Sequence, residues 1–447
     1  MNFSLPGCLR CPFCSGSLKQ SETDQIGHGS EYGILTCHCS QYPIVAGIPI
    51  LKQTTGNINE IITLVKASRH RDALLALLSP ASPELAPAWI QSLPSVKGMG
   101  RVKNLAHQWA LRRWREQAAD YMTNPGDDVT AFDLFPFYFR RSDATDYFAF
   151  RFSQPRHLVA LSFATLIQEP KKPVLDLACG FGHMTRNLSE RAKPQPVLGV
   201  DRNFAGLYFA KHYIAPEAEY VCSEAEPSLP FPDDAFSTVF CSDAFHYFVN
   251  KAATIREIKR LTRDNGLIIL TVLRNALLQY PVAGRPLPPD GYEELVADMS
   301  HCLVSDSSVL ARYLQKQGPP LGRSAEGGDL ANEPTVSVVA SPRQEVFKDY
   351  GTLQDWPHAE GCLELNPLYT EEKHDRLGNV LLHRTFPTAW YEKDNAECKE
   401  YLPETVAISS SVLVDLERRK RTPQVERLIE QCVVLGMPER YRRAISI

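Results

Sequence analysis

An α/β fold, in which a doubly wound, mostly parallel sheet follows a small cysteine-bearing unit, is what this sequence predicts. Three observations lead there. From residue 173 onward, apolar runs that read as buried strands (PVLDLAC, PVLGVD, EYVCSE, STVFCSD, GLIILTVL) are interspersed with helical segments beginning near Met184, Asn203 and Asn250. The first run ends in an acid and two glycines, PVLDLACGFGHM. Five of the twelve cysteines stand within the first 39 residues. Near-continuous apolar strands separated by helices belong to parallel sheets covered on both faces. Such sheets bind ligands beyond the carboxyl ends of their strands.

Taken in order, residues 1–52 form the cysteine-bearing unit, which ends in the strand-like YPIVAGIPIL. Residues 53–130 read as a helical connector. INEIITLVKASRHRDALLALL has helical spacing, the proline-rich LSPASPELAPAWIQSLP is irregular, and RVKNLAHQWALRRWREQAADYM is a helix with a solvated basic face. The α/β unit is expected over 131–345, opened by the aromatic DYFAFRFSQPRHLVALSFATL, which is helical after Pro155. QKQGPPLGRSAEGGDLANEPT has the composition of a loop. TVSVVA and NVLLHRTF are expected as late strands of the same sheet. Residues 346–447 are an extension with a helical tail at 411–436 and two aromatic groupings, ELNPLY and FPTAWYE, that carry no assigned role.

Composition narrows the function classes. The 447 residues are 44% hydrophobic and 22% charged, a globular balance. A formal net charge of −4 argues against a generic nucleic-acid binder. No apolar run approaches the roughly 18–20 residues of a membrane span. The start, MNFSLPGCLRCPFC, lacks the basic and apolar stretches of a signal peptide. A secreted disulfide scaffold would be shorter and denser in cysteine, so a reducing, cytoplasmic setting is expected.

The glycine turn carries most of the chemistry. A dinucleotide fingerprint needs G-x-G-x-x-G, but Thr185 stands where the third glycine would be, after Gly180 and Gly182. Asp176, at the end of the first strand, would repel a pyrophosphate and suits a cofactor with a cationic amino-acid end. Asp201 ends the second strand, where a carboxylate can accept both hydroxyls of a ribose. Glu224 and Ala225 follow the third strand, where an adenine edge would be read.

With these motifs in hand, residues 173–273 resemble the core of a class I S-adenosylmethionine-dependent methyltransferase. The ordered motifs are D-L-A-C-G-F-G, the acid of G-V-D, S-E-A, L-P-F-P-D-D-A-F and E-I-K-R-L-T-R-D-N-G-L. The resemblance implies a seven-stranded, Rossmann-like sheet and S-adenosyl-L-methionine as cofactor. It also implies that Asp176, Ala178 and Gly180 line the methionine end, with Gly182 completing the turn. Asp201 would hold the ribose, Arg202 would flank the adenine, and Glu224 and Ala225 would meet its edge. Ser242 and Ala244 would lie beside the sulfonium, and Tyr147 and Arg151 would contact the methionine carboxylate. The alternative is a nicotinamide dinucleotide fold without methyl transfer.

The amino-terminal CLRCPFCSGSL and YGILTCHCSQYPIVAGIPIL resemble the small zinc-ribbon-like domain of the tRNA-methyltransferase activator family. The most specific parts are C-P-x-C-x-G-x-L and Y-P-I-x-x-G-I-P-I-L. Two cysteine pairs can complete a tetrahedral thiolate site whose zinc supplies folding energy. Cys11 and Cys14 have the usual spacing. Cys37 and Cys39 have one residue between them, so His38 or Cys8 stands open as a substitute ligand.

For the acceptor, CSDAFHYF replaces the N/D-P-P-Y/F/W turn common in enzymes that methylate base amines. His246, beyond the fourth strand, is a candidate general base, although direct displacement needs only positioning. Tyr280, Arg285 and Tyr292 of the insertion NALLQYPVAGRPLPPDGYEEL are candidates to shape an acceptor pocket. The expected activity is methylation of a small-molecule or natural-product acceptor at O, N or C. The alternatives are an RNA or protein methyltransferase and a non-catalytic scaffold.

Overall fold

The computed structural model describes residues 5–20, 31–52, 58–78, 129–139, 143–226, 228–278, 284–322, 330–354, 356, 361–374 and 379–442, with single positions at 105, 109, 113 and 120. The proline-rich connector, most of the basic helix and Tyr280 lie outside these residues.

The amino-terminal unit is an antiparallel sheet of β1 (Lys19–Gln20), β2 (Gly33–Thr36), β3 (Gln41–Val45) and β4 (Ile48–Pro49) in that order. It is docked edge-on. Beyond β4, Ile50 bridges in parallel to Cys222, and the Leu51 amide donates to the Cys222 carbonyl at 2.8 Å. Leu5, Leu9, Leu35, Tyr42 and Leu51 share one apolar cluster with Leu198, Val221 and Phe231 of the larger unit. The helix expected after this unit is two, Ile58–Lys66 and His70–Leu78, broken where Ser68 takes a positive φ.

The large sheet contains β5 (Val174–Leu177), β6 (Val197–Asp201), β7 (Glu219–Cys222), β8 (Thr238–Ser242), β9 (Leu267–Arg274), β10 (His301–Ser305) and β11 (Thr335–Ala340). Their order is β7-β6-β5-β8-β9-β11-β10. The first five are parallel, and β11 runs antiparallel to both β9 and β10. All residues of β5 and β9 are buried, as strands covered on both faces require. Edge strand β7 is covered by the amino-terminal unit, which occupies hydrogen-bonding groups that would otherwise invite another chain.

Two expectations are corrected. NVLLHRTF does not join this sheet. It forms β14 (Val380–Arg384) between β13 (Tyr369–His374) and β15 (Thr405–Ile408) in a separate antiparallel sheet. The tail is not one helix either. Helices Ser410–Glu417 and Pro423–Glu430 lead into β16 (Val434–Met437), which pairs with β12 (Cys362–Leu365). This carboxyl-terminal region packs Leu363, Leu365 and Val434 into the same core as Leu158 and Phe163 of the Pro155–Ala164 helix. Ser153 Oγ donates to Asn366 Oδ1 at 2.8 Å inside that contact.

Candidate active site

A cavity of about 510 Å³ opens at the carboxyl ends of β5, β6, β7, β8 and β9, a size suited to small organic ligands. Its floor is the glycine turn. Gly180 and Gly182 have φ of 58° and 79°, and a side chain on Gly182 would come within 2.7 Å of the Ala210 methyl. Ala178 and Asp243, at the ends of β5 and β8, also have positive φ, of 60° and 54°. Such backbone is rare for residues with a side chain, and here both cases line the cavity. Over the turn lies an aromatic cover, in which Phe148 packs against Phe181 at 4.4 Å and Phe139 against Phe148 at 5.1 Å.

Two acids mark the cofactor half. Asp176 is buried and accepts a 2.6 Å hydrogen bond from Thr185 Oγ1, so the residue that broke the dinucleotide fingerprint anchors this carboxyl group. Burial pushes Asp176 up to about 7; the Thr185 bond opposes this and nearby Asp201 adds to it. Asp201 accepts the Gly180 amide at 2.9 Å and the Asn203 amide at 2.8 Å. A carboxylate has about four lone-pair sites, so ribose hydroxyls can share it with those amides. A buried acid with no cation paired to it among the described residues fits the ammonium of an amino-acid-bearing cofactor.

The other half is an ion network. Asp243 Oδ2 accepts from Tyr147 Oη at 2.7 Å and Arg151 at 3.1 Å, and Arg156 lies at 3.5 Å. Burial alone would raise this acid, but the Arg156 and Arg151 guanidiniums hold it well below the usual carboxylate range. Arg156 also donates to Asp394 Oδ2 at 2.7 Å and to the Asp394 carbonyl at 3.0 Å.

Asp176, Ala178, Gly180, Asp201, Arg202, Glu224, Ala225, Ser242, Ala244, Tyr147 and Arg151 all line the cavity. Gly182 does not; it caps the helix His183–Ala192 just beyond. His246 does not line the cavity either, which corrects its placement as a base at the reacting atom. Its ring is fully buried against Tyr247 at 4.2 Å, and both nitrogens lack a hydrogen-bond partner among the described residues. Burial lowers it to about 4 despite Asp243. Of the insertion, Tyr292 is buried, with its hydroxyl on the Arg274 carbonyl at 2.9 Å, and Arg285 is exposed; neither lines the cavity. The wall comes instead from Trp390 and Asp394 of the Ala389–Asp394 helix, together with Arg156, Arg274 and Asp243. That helix is tied down by Thr388 Oγ1 donating to Asp146 at 3.0 Å and Tyr391 Oη donating to the Phe150 carbonyl at 3.2 Å. Asp243 was readable inside CSDAFHYF; nothing in the sequence around Trp390 signals its position.

In the amino-terminal unit, the sulfurs of Cys11, Cys14, Cys37 and Cys39 lie within 4.8 Å of one another. The separations are 3.5 Å for Cys11–Cys39 and Cys37–Cys39, and 3.9 Å for Cys14–Cys37. Four thiolates around one zinc stand about 3.8 Å apart, so the group fits the ion. Cys8 turns its thiol to the Leu5 carbonyl at 3.1 Å, and His38 Nδ1 lies 4.0 Å from the Cys14 sulfur.

Comparison with known proteins agrees with this geometry. Residues 175–270 match the methyltransferase domain family. The chain is similar to phthiotriol/phenolphthiotriol dimycocerosates methyltransferase 1 of Mycobacterium ulcerans, 27% identical over 185 residues, 38% of this chain and 68% of that protein. A Mycobacterium tuberculosis protein with the corresponding name is 26% identical over 189 residues, 38% of this chain and 70% of its own. The fatty-acid O-methyltransferase of Mycolicibacterium smegmatis is 31% identical over 105 residues, 23% of this chain and 38% of that protein. Strand order, acids and turn thus meet the same conclusion as these relatives: the chain carries a class I S-adenosylmethionine-dependent methyltransferase domain and is a methyltransferase.

Proposed function

We propose that this enzyme methylates a small, largely apolar natural product or lipid-like molecule. The observation that carries the reading is the cavity itself, with acids at the β5 and β6 ends and Trp390 and Tyr247 at the other end. When bound, S-adenosylmethionine supplies an electrophilic methyl group on a sulfonium. Asp176 and Gly180 receive its amino-acid end, Tyr147 and Arg151 its carboxylate, and Asp201 its ribose. Arg202, Glu224 and Ala225 border the adenine, while Ala178, Ser242 and Ala244 flank the sulfur. The aromatic cover of Phe148 and Phe181 keeps water from the reacting atoms, and the walls align the acceptor for displacement. The relatives named for lipid and fatty-acid acceptors support the substrate class.

A zinc held by Cys11, Cys14, Cys37 and Cys39 has a structural role in this reading, because nothing in the cluster faces the cavity. Its resemblance to the activator domain is consistent with the edge-on docking against β7. The deciding experiment supplies labelled cofactor and purified protein to a cell extract. The label is expected in the small-molecule fraction; recovery in nuclease- or protease-sensitive material would count against the proposal.

A further inference from the structure

Where β6 and β7 end, the cavity carries more negative charge than those elements balance. Asp201, Glu224 and Glu226 line it there, with Arg202 as the cation beside them. Glu226 is provided for: it accepts the Asn250 amide at 2.7 Å and has the Lys251 ammonium nearby. Arg202 is exposed, so water and salt weaken its hold on the other two acids. Asp201 also faces buried Asp176, a like charge when both are ionised. Crowded carboxylates favour protonation unless a cation joins them, and a protonated acid loses acceptor capacity.

A second cation comes from the amino-terminal unit. Ile50 bridges in parallel to Cys222, and Cys222 pairs in register with Asp201. Side chains alternate between faces along such strands, and the core clusters record the alternation. Ile50 and Cys222 share one cluster, whereas Leu51, Val200 and Val221 share the other. Asp201, next after Val200, therefore stands on the face of Ile50 and Cys222, and so does Lys52, next after Leu51. Counting on from the Ile50–Cys222 bridge brings Lys52 level with Glu224. The Leu51 amide, donating to the Cys222 carbonyl at 2.8 Å, fixes the chain just before it. Lys52 is half-buried and does not line the cavity, so it acts from behind these acids.

Its charge is felt where this geometry puts it. Burial raises Asp201; the Asn203 and Gly180 amides oppose that, and so do the Arg202 and Lys52 charges. Burial likewise pushes the Cys222 thiol up to about 12, with Lys52 opposing the rise and Asp201 and Glu224 adding to it. One ammonium thus shares a neighbourhood with this thiol and both acids.

We propose that Lys52 is a positioning residue of the cofactor site: carried in by the cysteine-bearing unit, its ammonium stands beside Asp201 and Glu224 and keeps Asp201 a charged acceptor for the ribose of the cofactor. It touches no reacting atom. The amino-terminal unit therefore completes the cofactor site as well as covering β7. This inference rests on the methyltransferase reading and adds to it a residue from outside the methyltransferase domain.

Calorimetry on the full-length protein tests it, with S-adenosylhomocysteine and with 5′-methylthioadenosine, which keeps the nucleoside and lacks the amino-acid end. Lys52→Met should weaken both ligands about fivefold, while Lys52→Arg should stay within about twofold of the unmodified protein. Without the cation Asp201 protonates more readily, so the Lys52→Met deficit should widen as pH falls and shrink as pH rises. The Asp176 contribution is common to both proteins and cancels in that ratio. In an Asp201→Asn background the further loss from Lys52→Met should drop below about twofold. Unchanged affinity in Lys52→Met overturns the proposal, and so does an equal loss in Lys52→Arg. A deficit that ignores pH, that spares 5′-methylthioadenosine, or that persists in full beside Asp201→Asn overturns it too. If S-adenosylhomocysteine itself fails to bind the unmodified protein, the methyltransferase reading falls first and this one with it.

Discussion

Asp176 is buried and Asp201 half-buried, and they face different tasks. Asp201 already holds two amides, so its worth to a ligand lies in its remaining lone pairs. Asp201→Ala should weaken S-adenosylhomocysteine binding by roughly 1–3 kcal/mol, read by calorimetry, because charged-acceptor hydrogen bonds are lost. Asp176 gives a pH dependence. Its folded-state value, raised to about 7, lies above that of the unfolded chain, so its carboxyl group costs stability progressively as pH rises from 3.8 toward 7. A bound ammonium favours the ionised form and binding therefore releases a proton. Affinity should climb as pH goes from about 6 to about 8 and then level off, and Asp176→Asn should flatten the curve. A pH-independent affinity in the unmodified protein would remove Asp176 from the cofactor's cationic end.

The strand–turn–helix element that contains these acids depends on close backbone approach. At Gly182 a methyl group would meet Ala210 at 2.7 Å and also need φ of 79°, which a side chain disfavours. Gly182→Ala should lower stability by about 1–3 kcal/mol, measured by denaturant titration, and weaken cofactor binding by displacing the turn. The Ala389–Asp394 helix offers the opposite case. Trp390 lies at the wall and is only partly buried. Trp390→Ala should leave S-adenosylhomocysteine affinity near that of the unmodified protein while raising the concentration of acceptor needed for half-maximal transfer. Loss of both together would mean that the indole supports the cofactor half instead.

Across the whole molecule, the two amino- and carboxyl-terminal additions share cores with the sheet and are not appended beads. The amino-terminal unit extends β7 and buries Leu51 and Tyr42 against Val221 and Phe231. Removing residues 1–52 should bare an edge strand and an apolar face, and the truncated protein should elute as aggregates in size-exclusion chromatography. Metal analysis of protein purified without added metal should return one zinc per chain. Chelation should lower the melting temperature of the full chain, since the ion's binding energy is folding energy for a unit this small. No helix among the described residues is long and apolar enough to cross a membrane.

The core of the sheet was legible because its information is local. A buried parallel strand must be apolar along its whole length, its acid must stand at the carboxyl end, and a tight turn must use glycine. PVLDLACGFG and PVLGVD show all of this in consecutive residues. For the same reason the residues from Asp176 to Ala244 that line the cavity stand in ordered motifs, whereas the one-residue spacing of Cys37 and Cys39 left Cys8 and His38 open until the fold brought the four sulfurs together. What escaped was set by contacts between distant residues. β10 and the place of β14 were missed because antiparallel partners are chosen by packing, and NVLLHRTF has the same pattern in either sheet. His246 reads as a base from its neighbours in sequence, yet it is turned into the core behind Tyr247. The acceptor wall needs Arg156 to meet Asp394 across 238 residues and a bulge in β9 to bring Arg274 to the cavity. Neither leaves a periodicity or a motif, because such pairings exist only once the chain has closed on itself.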